Sequence, residues 1–217
     1  MGINILIADD HKIVREAIKS LLNNEVGMTV VAEAADGRAA VELARELRPD
    51  VVVMDIIMPK LNGIEATRQI VREPSSTKVV ILSEQFDRRC VCEALRAGAS
   101  GFVPKQCGFD ELVTAIRNLA ANHTYLSSEI TGVVVDGYIN RSPDEGGSAY
   151  SILTDREREV LQLIAEGMPT KGIAKELHLS VKTIEWHRTQ LMKKAHLTSI
   201  AKLVKYAINE GLTCVSV

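Results

Sequence analysis

Five short apolar runs alternate with amphipathic stretches through the first 120 of 217 residues, and that alternation constrains the fold most. The runs cover 3–8, 28–33, 51–54, 78–82 and 101–104; the amphipathic stretches cover 11–23, 37–47, 63–72, 87–97 and 109–121. The runs at 3–8 and 51–54 are apolar and β-branched, as expected of buried parallel strands. Strand and helix alternating at this spacing predict an α/β fold, a doubly wound five-stranded parallel sheet with helices on both faces. Asp36-Gly37, Arg48-Pro49-Asp50 and Leu61-Asn62-Gly63 supply turns between the periodic segments.

Charged residues stand where such a sheet binds ligands. Asp9 and Asp10 end the first run and Asp55 ends the third, and ligands of open α/β sheets sit at the carboxyl ends of the strands. At about 5 Å and an effective dielectric near 20, each pair of carboxylates repels by ~3 kcal/mol. A cation or a proton is therefore expected among them. Ser83 follows the fourth run and Lys105 the fifth, so both reach the same rim. These are the parts needed for phosphoryl transfer to a carboxylate: acids to hold Mg2+ (or Mn2+), one carboxylate to attack, and an ammonium and a hydroxyl for the remaining oxygens.

Here the chain resembles a bacterial response-regulator receiver domain over residues 1–120. The resemblance is carried by Ala8-Asp9-Asp10-His11, by Met54-Asp55-Ile56-Ile57-Met58-Pro59 with Gly63, and by Ala97-Gly98-Ala99-Ser100-Gly101-Phe102-Val103-Pro104-Lys105. It implies that Asp55 is the phosphoacceptor and that Asp10, Asp55 and the Ile57 carbonyl bind Mg2+, with Asp9 acting through water. It also implies that Lys105 pairs with the phosphoryl group, that Ser83 is the switch hydroxyl, and that Phe102 is the aromatic that turns with it. Glu84 departs from the family pattern directly after the switch hydroxyl, as does Gln106 after the lysine.

Beyond residue 120 the pattern changes. A helix is expected over 126–139, and residues 140–148 combine Gly, Ser, Pro and charge with no apolar side chain, the composition of a linker. Residues 150–217 then carry 10 Lys/Arg against 7 Asp/Glu, for a net charge of +3, whereas the chain as a whole stands at −2. A basic end on an acidic chain admits nucleic acid as a partner. Thr154 and Glu157 have the spacing of a capping box ahead of an apolar stripe. Three further helices are expected near 170–177, 181–194 and 200–210, making a small all-α four-helix domain. The second and third of the four, separated by His178-Leu179-Ser180, form a helix-turn-helix pattern, with Ser180 as N-cap of the helix that enters the major groove. From Lys182 to Lys194 that helix carries four basic residues and one acid, Glu185, a balance suited to phosphate contacts.

The segment 153–212 resembles the LuxR-type helix-turn-helix domain, on Leu153-Thr154-Asp155-Arg156-Glu157-Arg158-Glu159-Val160-Leu161 and on Leu179-Ser180-Val181-Lys182-Thr183-Ile184-Glu185-Trp186-His187-Arg188. With the receiver, the whole is similar to a NarL/FixJ-family response regulator. The resemblance places Lys182, Thr183, His187, Arg188 and Lys193 near the DNA backbone and Glu185, Trp186 and Thr189 at base edges, with Lys171 of the preceding helix also DNA-binding. Trp186 stands where smaller residues are usual. Pro169-Thr170-Lys171-Gly172 departs from the usual start of the preceding helix and leaves Thr170 as its candidate cap.

The expected organisation is a receiver over 1–122, a linker helix and flexible linker over 123–150, and the DNA-binding domain over 151–217. The expected function is a DNA-binding transcriptional regulator of a two-component system, controlled when a histidine kinase phosphorylates Asp55. Its partners would be double-stranded DNA, the kinase, and a second copy in a homodimer when phosphorylated or DNA-bound. A constitutive DNA binder with a receiver used mainly for dimerisation is the alternative. A Mg2+-dependent phosphatase lacks its general acid, because Ile57 stands two residues after Asp55 where such hydrolases carry a second aspartate. No apolar run approaches a membrane span, and the N-terminus enters a strand directly without a signal-peptide pattern, so a cytoplasmic protein is expected. Cys90, Cys92, Cys107 and Cys214 fit neither a zinc site nor a redox pair.

Overall fold

A computed structural model describes residues 2–74, 76–139 and 149–214. The expected flexible linker over 140–148 lies outside the described residues. The chain forms two compact units, residues 1–141 and 142–217.

In the first unit, β1 (Ile3–Ala8), β2 (Met28–Ala34), β3 (Val51–Met54), β4 (Lys78–Ser83), β5 (Gly101–Pro104) and β6 (Tyr125–Leu126) form one sheet in the order β2-β1-β3-β4-β5-β6. Every pairing is parallel. The connecting helices are α1 (Lys12–Asn24), α2 (Gly37–Leu47), α3 (Gly63–Arg72), α4 (Arg88–Arg96) and α5 (Phe109–Ala120). Alternate strand residues Ile5, Ile7, Val51, Val53, Val80, Leu82 and Val103 pack with Ile18 and Leu22 of α1 and Leu112, Ile116 and Leu119 of α5. Leu6, Val52, Met54, Ile81 and Phe102, pointing to the other face by strand alternation, are fully buried as well. Burial on both faces explains why the runs read as continuous apolar segments.

The strand order reverses between β1 and β3, so the loops after these two strands open side by side, which is where such sheets form ligand sites. Two backbone hydrogen bonds carry the register past the strand ends: Asp55 N–H donates to the Ala8 carbonyl at 2.8 Å and Lys105 N–H to the Ser83 carbonyl at 2.9 Å. Asn62 caps α3 by accepting the Glu65 N–H at 2.9 Å. Gly63, the first residue of α3, approaches the β3 end so closely that a Cβ there would stand 1.9 Å from the Asp55 carbonyl oxygen.

The sheet has six strands, not the expected five. Two-residue β6 is too short to show an alternating pattern, and it is defined by pairing: Tyr125 aligns with Gly101 and Leu126 with Phe102. The helix expected from 126 accordingly starts two residues later, as α6 (Ser128–Ile139). Ser127 between them donates its N–H to the Phe102 carbonyl at 3.2 Å. Ile130 of α6 is fully buried, and α6 lies against α4 and β5.

The second unit contains α8 (Asp155–Ala165), α9 (Thr170–Glu176), α10 (Val181–Lys194) and α11 (Ile200–Asn209), preceded by one short turn, α7 (Ala149–Ile152), that the four-helix expectation did not include. The capping box forms in full at Thr154 and Glu157, and the Ser180 side chain accepts the Thr183 N–H at 3.1 Å. Pro169, rather than Thr170, is the N-cap of α9, with no side-chain hydrogen bond. Thr170 is already helical, because a proline just ahead of the first turn sacrifices no helical N–H. His178 adopts a left-handed φ of 53° in the turn between α9 and α10, and Leu179 N–H returns to the Ala174 carbonyl at 2.9 Å. Val160, Leu161, Ile173, Ala174, Leu177, Ile184, Leu191, Leu203 and Ala207 form the core, so on α11 Leu203 and Ala207 face inward while Ile200 remains exposed.

Candidate functional site

At the carboxyl edge of the first sheet, Lys105 reaches across from the end of β5. Its Nζ lies 2.7 Å from Asp9 Oδ2 and 2.8 Å from Asp55 Oδ2. Asp9 and Asp55 are buried, whereas Asp10 is exposed. The second oxygen of Asp55 accepts the Ile56 N–H at 2.8 Å, and that of Asp9 accepts the His11 N–H at 2.8 Å. Burial pushes the Asp55 carboxyl up to about 6, even though Lys105 beside it pulls the other way. Burial alone would depress the Lys105 ammonium, but Asp55 and Asp9 outweigh it and lift the group above its ordinary value.

The remaining expected residues lie on the strands and loops of the same sheet edge. Ser83, 1 % exposed, ends β4, and its Oγ accepts the Gln85 N–H at 3.1 Å. Phe102 is fully buried in β5. Ile57 lies half-buried in the loop from β3 to α3. Glu84, the departure next to Ser83, is exposed.

The donors fit a hard divalent cation. Carboxylate or imidazole atoms of Asp9, Asp10, His11 and Asp55 all lie within 4.8 Å of one another. Asp9 and Asp55, both buried, share the Lys105 ammonium while Asp10 brings a third carboxylate to the cluster, and oxygen-rich anionic sets suit Mg2+. His11 was not singled out in the sequence beyond its place in the Asp9-Asp10-His11 motif. Its Nδ1 lies 2.8 Å from Asp10 Oδ1.

In the second unit, α10 buries Ile184 and Leu191 and presents Lys182, Glu185, Trp186, Thr189 and Lys193 to solvent. Lys171 of α9 is exposed too, and Thr183 and Arg188 are half-buried. Trp186 is 57 % exposed, its ring edge-on to His187 at 4.9 Å and 69°. His187 turns the other way: its Nδ1 is enclosed without a hydrogen-bond partner. Burial lowers its basicity, with Glu157 opposing that shift and Arg156 and Lys194 reinforcing it. Glu157 and Lys194 join α8 to α10 through a 2.7 Å ion pair, and Arg156 donates to the Leu177 carbonyl at 2.6 Å. These contacts hold the exposed face of α10 at a fixed angle to the rest of the unit.

Comparison with known proteins agrees with this architecture. Residues 5–117 match the response regulator receiver domain and residues 151–207 match the luxR family of bacterial regulatory proteins. The oxygen regulatory protein NreC of Staphylococcus epidermidis is 39 % identical over 213 residues, covering 96 % of this chain and 98 % of NreC. Salmonella enterica serovar Typhimurium RcsB, solved on the rprA promoter with the phosphomimetic BeF3−, is 27 % identical at a TM-score of 0.62, covering 95 % of this chain and 98 % of that one. A LuxR-family response regulator from Aurantimonas sp. is 37 % identical at a TM-score of 0.61, covering 64 % of this chain and all of the other. A parallel sheet with an acidic edge, followed by a helix-turn-helix unit, defines a regulator that couples a receiver to DNA. The chain belongs to the NarL/FixJ family of two-component response regulators, transcriptional regulators with a receiver and a LuxR-type DNA-binding domain. Among the described residues no helix is long and apolar enough to cross a membrane.

Proposed function

We propose that Asp55 accepts a phosphoryl group from a histidine kinase and that this modification controls dimerisation and DNA binding. The observation that carries the reading is the Lys105 ammonium held between Asp9 and Asp55, at 2.7 and 2.8 Å. Asp55 supplies the attacking oxygen: an O–P bond forms there as the bond to the donor nitrogen breaks. Asp10, Asp55 and the Ile57 carbonyl would hold Mg2+ (or Mn2+), with Asp9 acting through water, and the bound ion would supply positive charge for the phosphoryl oxygens. Lys105, already beside Asp55, pairs with a phosphoryl oxygen, and Ser83 turns its hydroxyl to another.

The change reaches the rest of the chain through β5. Phe102 follows Ser83, and the Phe102 carbonyl is tied to Ser127 ahead of α6. Gln106, next to Lys105, donates to Glu129 of α6 at 2.9 Å. A shift in β5 is therefore felt where the chain leaves the receiver, taken as 1–122, for the linker at 123–150 and the DNA-binding domain at 151–217. On DNA, Lys171, Lys182, Thr183, Arg188 and Lys193 contact phosphates, while Glu185, Trp186 and Thr189 meet base edges. His187 acts from behind this surface, as packing beneath Trp186.

Acetyl phosphate with Mg2+ should phosphorylate the protein to one equivalent, seen as one added phosphate by intact mass, and chelation should abolish the reaction. Asp55→Asn should take up none. Uptake by that variant at the wild-type rate would overturn the assignment.

A further inference from the structure

The imidazole of His11 completes the carboxylate cluster with a nitrogen donor. We propose that His11 Nδ1 is a direct ligand of the cation at this site and biases the site toward divalent transition-metal ions over Mg2+. The inference rests on reading Asp9, Asp10 and Asp55 as a cation site.

Donor spacing is the first argument. Around an octahedral ion with ligands at about 2.1 Å, neighbouring donors stand roughly 3.0 Å apart and opposite donors roughly 4.2 Å. His11 Nδ1 lies 2.8 Å from Asp10 Oδ1 and 3.3 Å from Asp9 Oδ1, values that bracket the neighbouring distance. The four side chains, Asp9 among them as a partner through water, offer donor atoms that all lie within 4.8 Å of one another, close to the span across such an ion.

The second argument is that the side chain serves neither the helix cap nor the core, and its contacts are the Asp9 and Asp10 carboxylates themselves. His11 is the N-cap residue of α1, yet its side chain makes no capping hydrogen bond. The side chain is 67 % exposed, so it fills no core. Its backbone is pinned from both sides: the N–H donates to Asp9 Oδ1, and the carbonyl accepts the Arg15 N–H at 3.1 Å. A fixed backbone with a side chain aimed at two carboxylates is the arrangement expected of a ligand.

The division of Asp9 agrees. Its Oδ2 faces Lys105 and its Oδ1 faces His11, so the ammonium and the imidazole approach the cluster from different sides. Mg2+ prefers an all-oxygen shell, whereas transition-metal ions accept mixed nitrogen and oxygen donors. A nitrogen in the set therefore improves binding of the second class and leaves the first nearly unchanged.

The test uses the full chain stripped of metal, with Mn2+ as a paramagnetic probe and Mg2+ as competitor. Pulsed EPR of the Mn2+ complex should show the 14N coupling of a directly bound imidazole. His11→Ala should abolish that coupling and weaken Mn2+ binding on the order of 10-fold or more, the scale on which ligand-shell changes act, while Mg2+ affinity stays within about twofold. Mn2+ bound in an Asp10-dependent manner without nitrogen coupling would overturn the role of His11 and leave the cation site standing. Equal losses for both ions in His11→Ala would likewise overturn it, since they report a structural defect. Failure of the wild-type chain to bind either ion would overturn the cation site itself, and His11 with it.

Discussion

Replacing Asp55 by asparagine in the metal-free protein should stabilise the first unit at neutral pH, and the advantage should shrink as the pH falls. Asp55 is 5 % exposed, and its carboxyl is raised from an ordinary 3.8 to about 6, chiefly by burial and against the pull of Lys105. The folded protein therefore holds this proton more tightly than the unfolded chain. The stabilisation from that proton is complete below about 3.8 and lost as the pH rises through about 6. The full difference is ~3 kcal/mol, and about half of it returns between about pH 7 and about pH 5. Asparagine removes the buried charge and keeps an oxygen for the Ile56 N–H. The assay is guanidinium unfolding in a chelator, followed by far-UV circular dichroism. The fluorescence of Trp186, the single tryptophan of the chain, reports the second unit separately. The wild type should gain roughly 1.5 kcal/mol on the variant over that pH interval. Parallel stability curves for the two proteins would refute the claim that Asp55 carries a buried, under-neutralised charge.

Other consequences are equally direct. Gly63→Ala should destabilise the first unit by at least about 3 kcal/mol, because the new Cβ would meet the Asp55 carbonyl oxygen at 1.9 Å; far-UV circular dichroism checks it. Glu157 is buried, which raises its carboxyl, but Lys194 and the Thr154 cap outweigh burial and hold it below its ordinary 4.5. Its contribution is thus complete above that value and lost as the pH falls through the lower folded-state value. Glu157→Gln should cost about 1 kcal/mol at neutral pH, with the gap closing in acid, followed by Trp186 fluorescence. On DNA, Trp186→Ala should relax the preference at one base pair, whereas Lys182→Ala should weaken all sequences alike and lower the salt slope by about 1; binding titrations at several salt concentrations separate the two.

The legible parts of the chain are those where one residue type answers one local demand. The β-branched runs identify strands buried on both faces, and Thr154, Glu157 and Ser180 declare helix starts by side-chain chemistry that acts within four residues. Strand ends at Asp9, Asp55, Ser83 and Lys105 could be aligned because a parallel sheet delivers every carboxyl end to the same edge. What escaped depends on tertiary pairing. Two residues of β6 have no periodicity and exist only because Tyr125 and Leu126 meet Gly101 and Phe102. Pro169 caps α9 by what its ring omits, and no side-chain oxygen announces that. His11 reads as the unremarked end of an acidic motif until its Nδ1 is placed 2.8 Å from Asp10. His187 and Trp186 are neighbours in a basic helix, and only the packing of α8 against α10 tells which of them turns inward.

The most direct test of the central claim is DNA affinity at fixed salt, measured for the full chain with Mg2+, with and without a phosphodonor or beryllofluoride, beside the Asp55→Asn protein. Tighter binding by the modified wild type, together with no response from the variant, is the predicted result. Equal affinity with and without the donor, or an undiminished response from Asp55→Asn, would contradict the account.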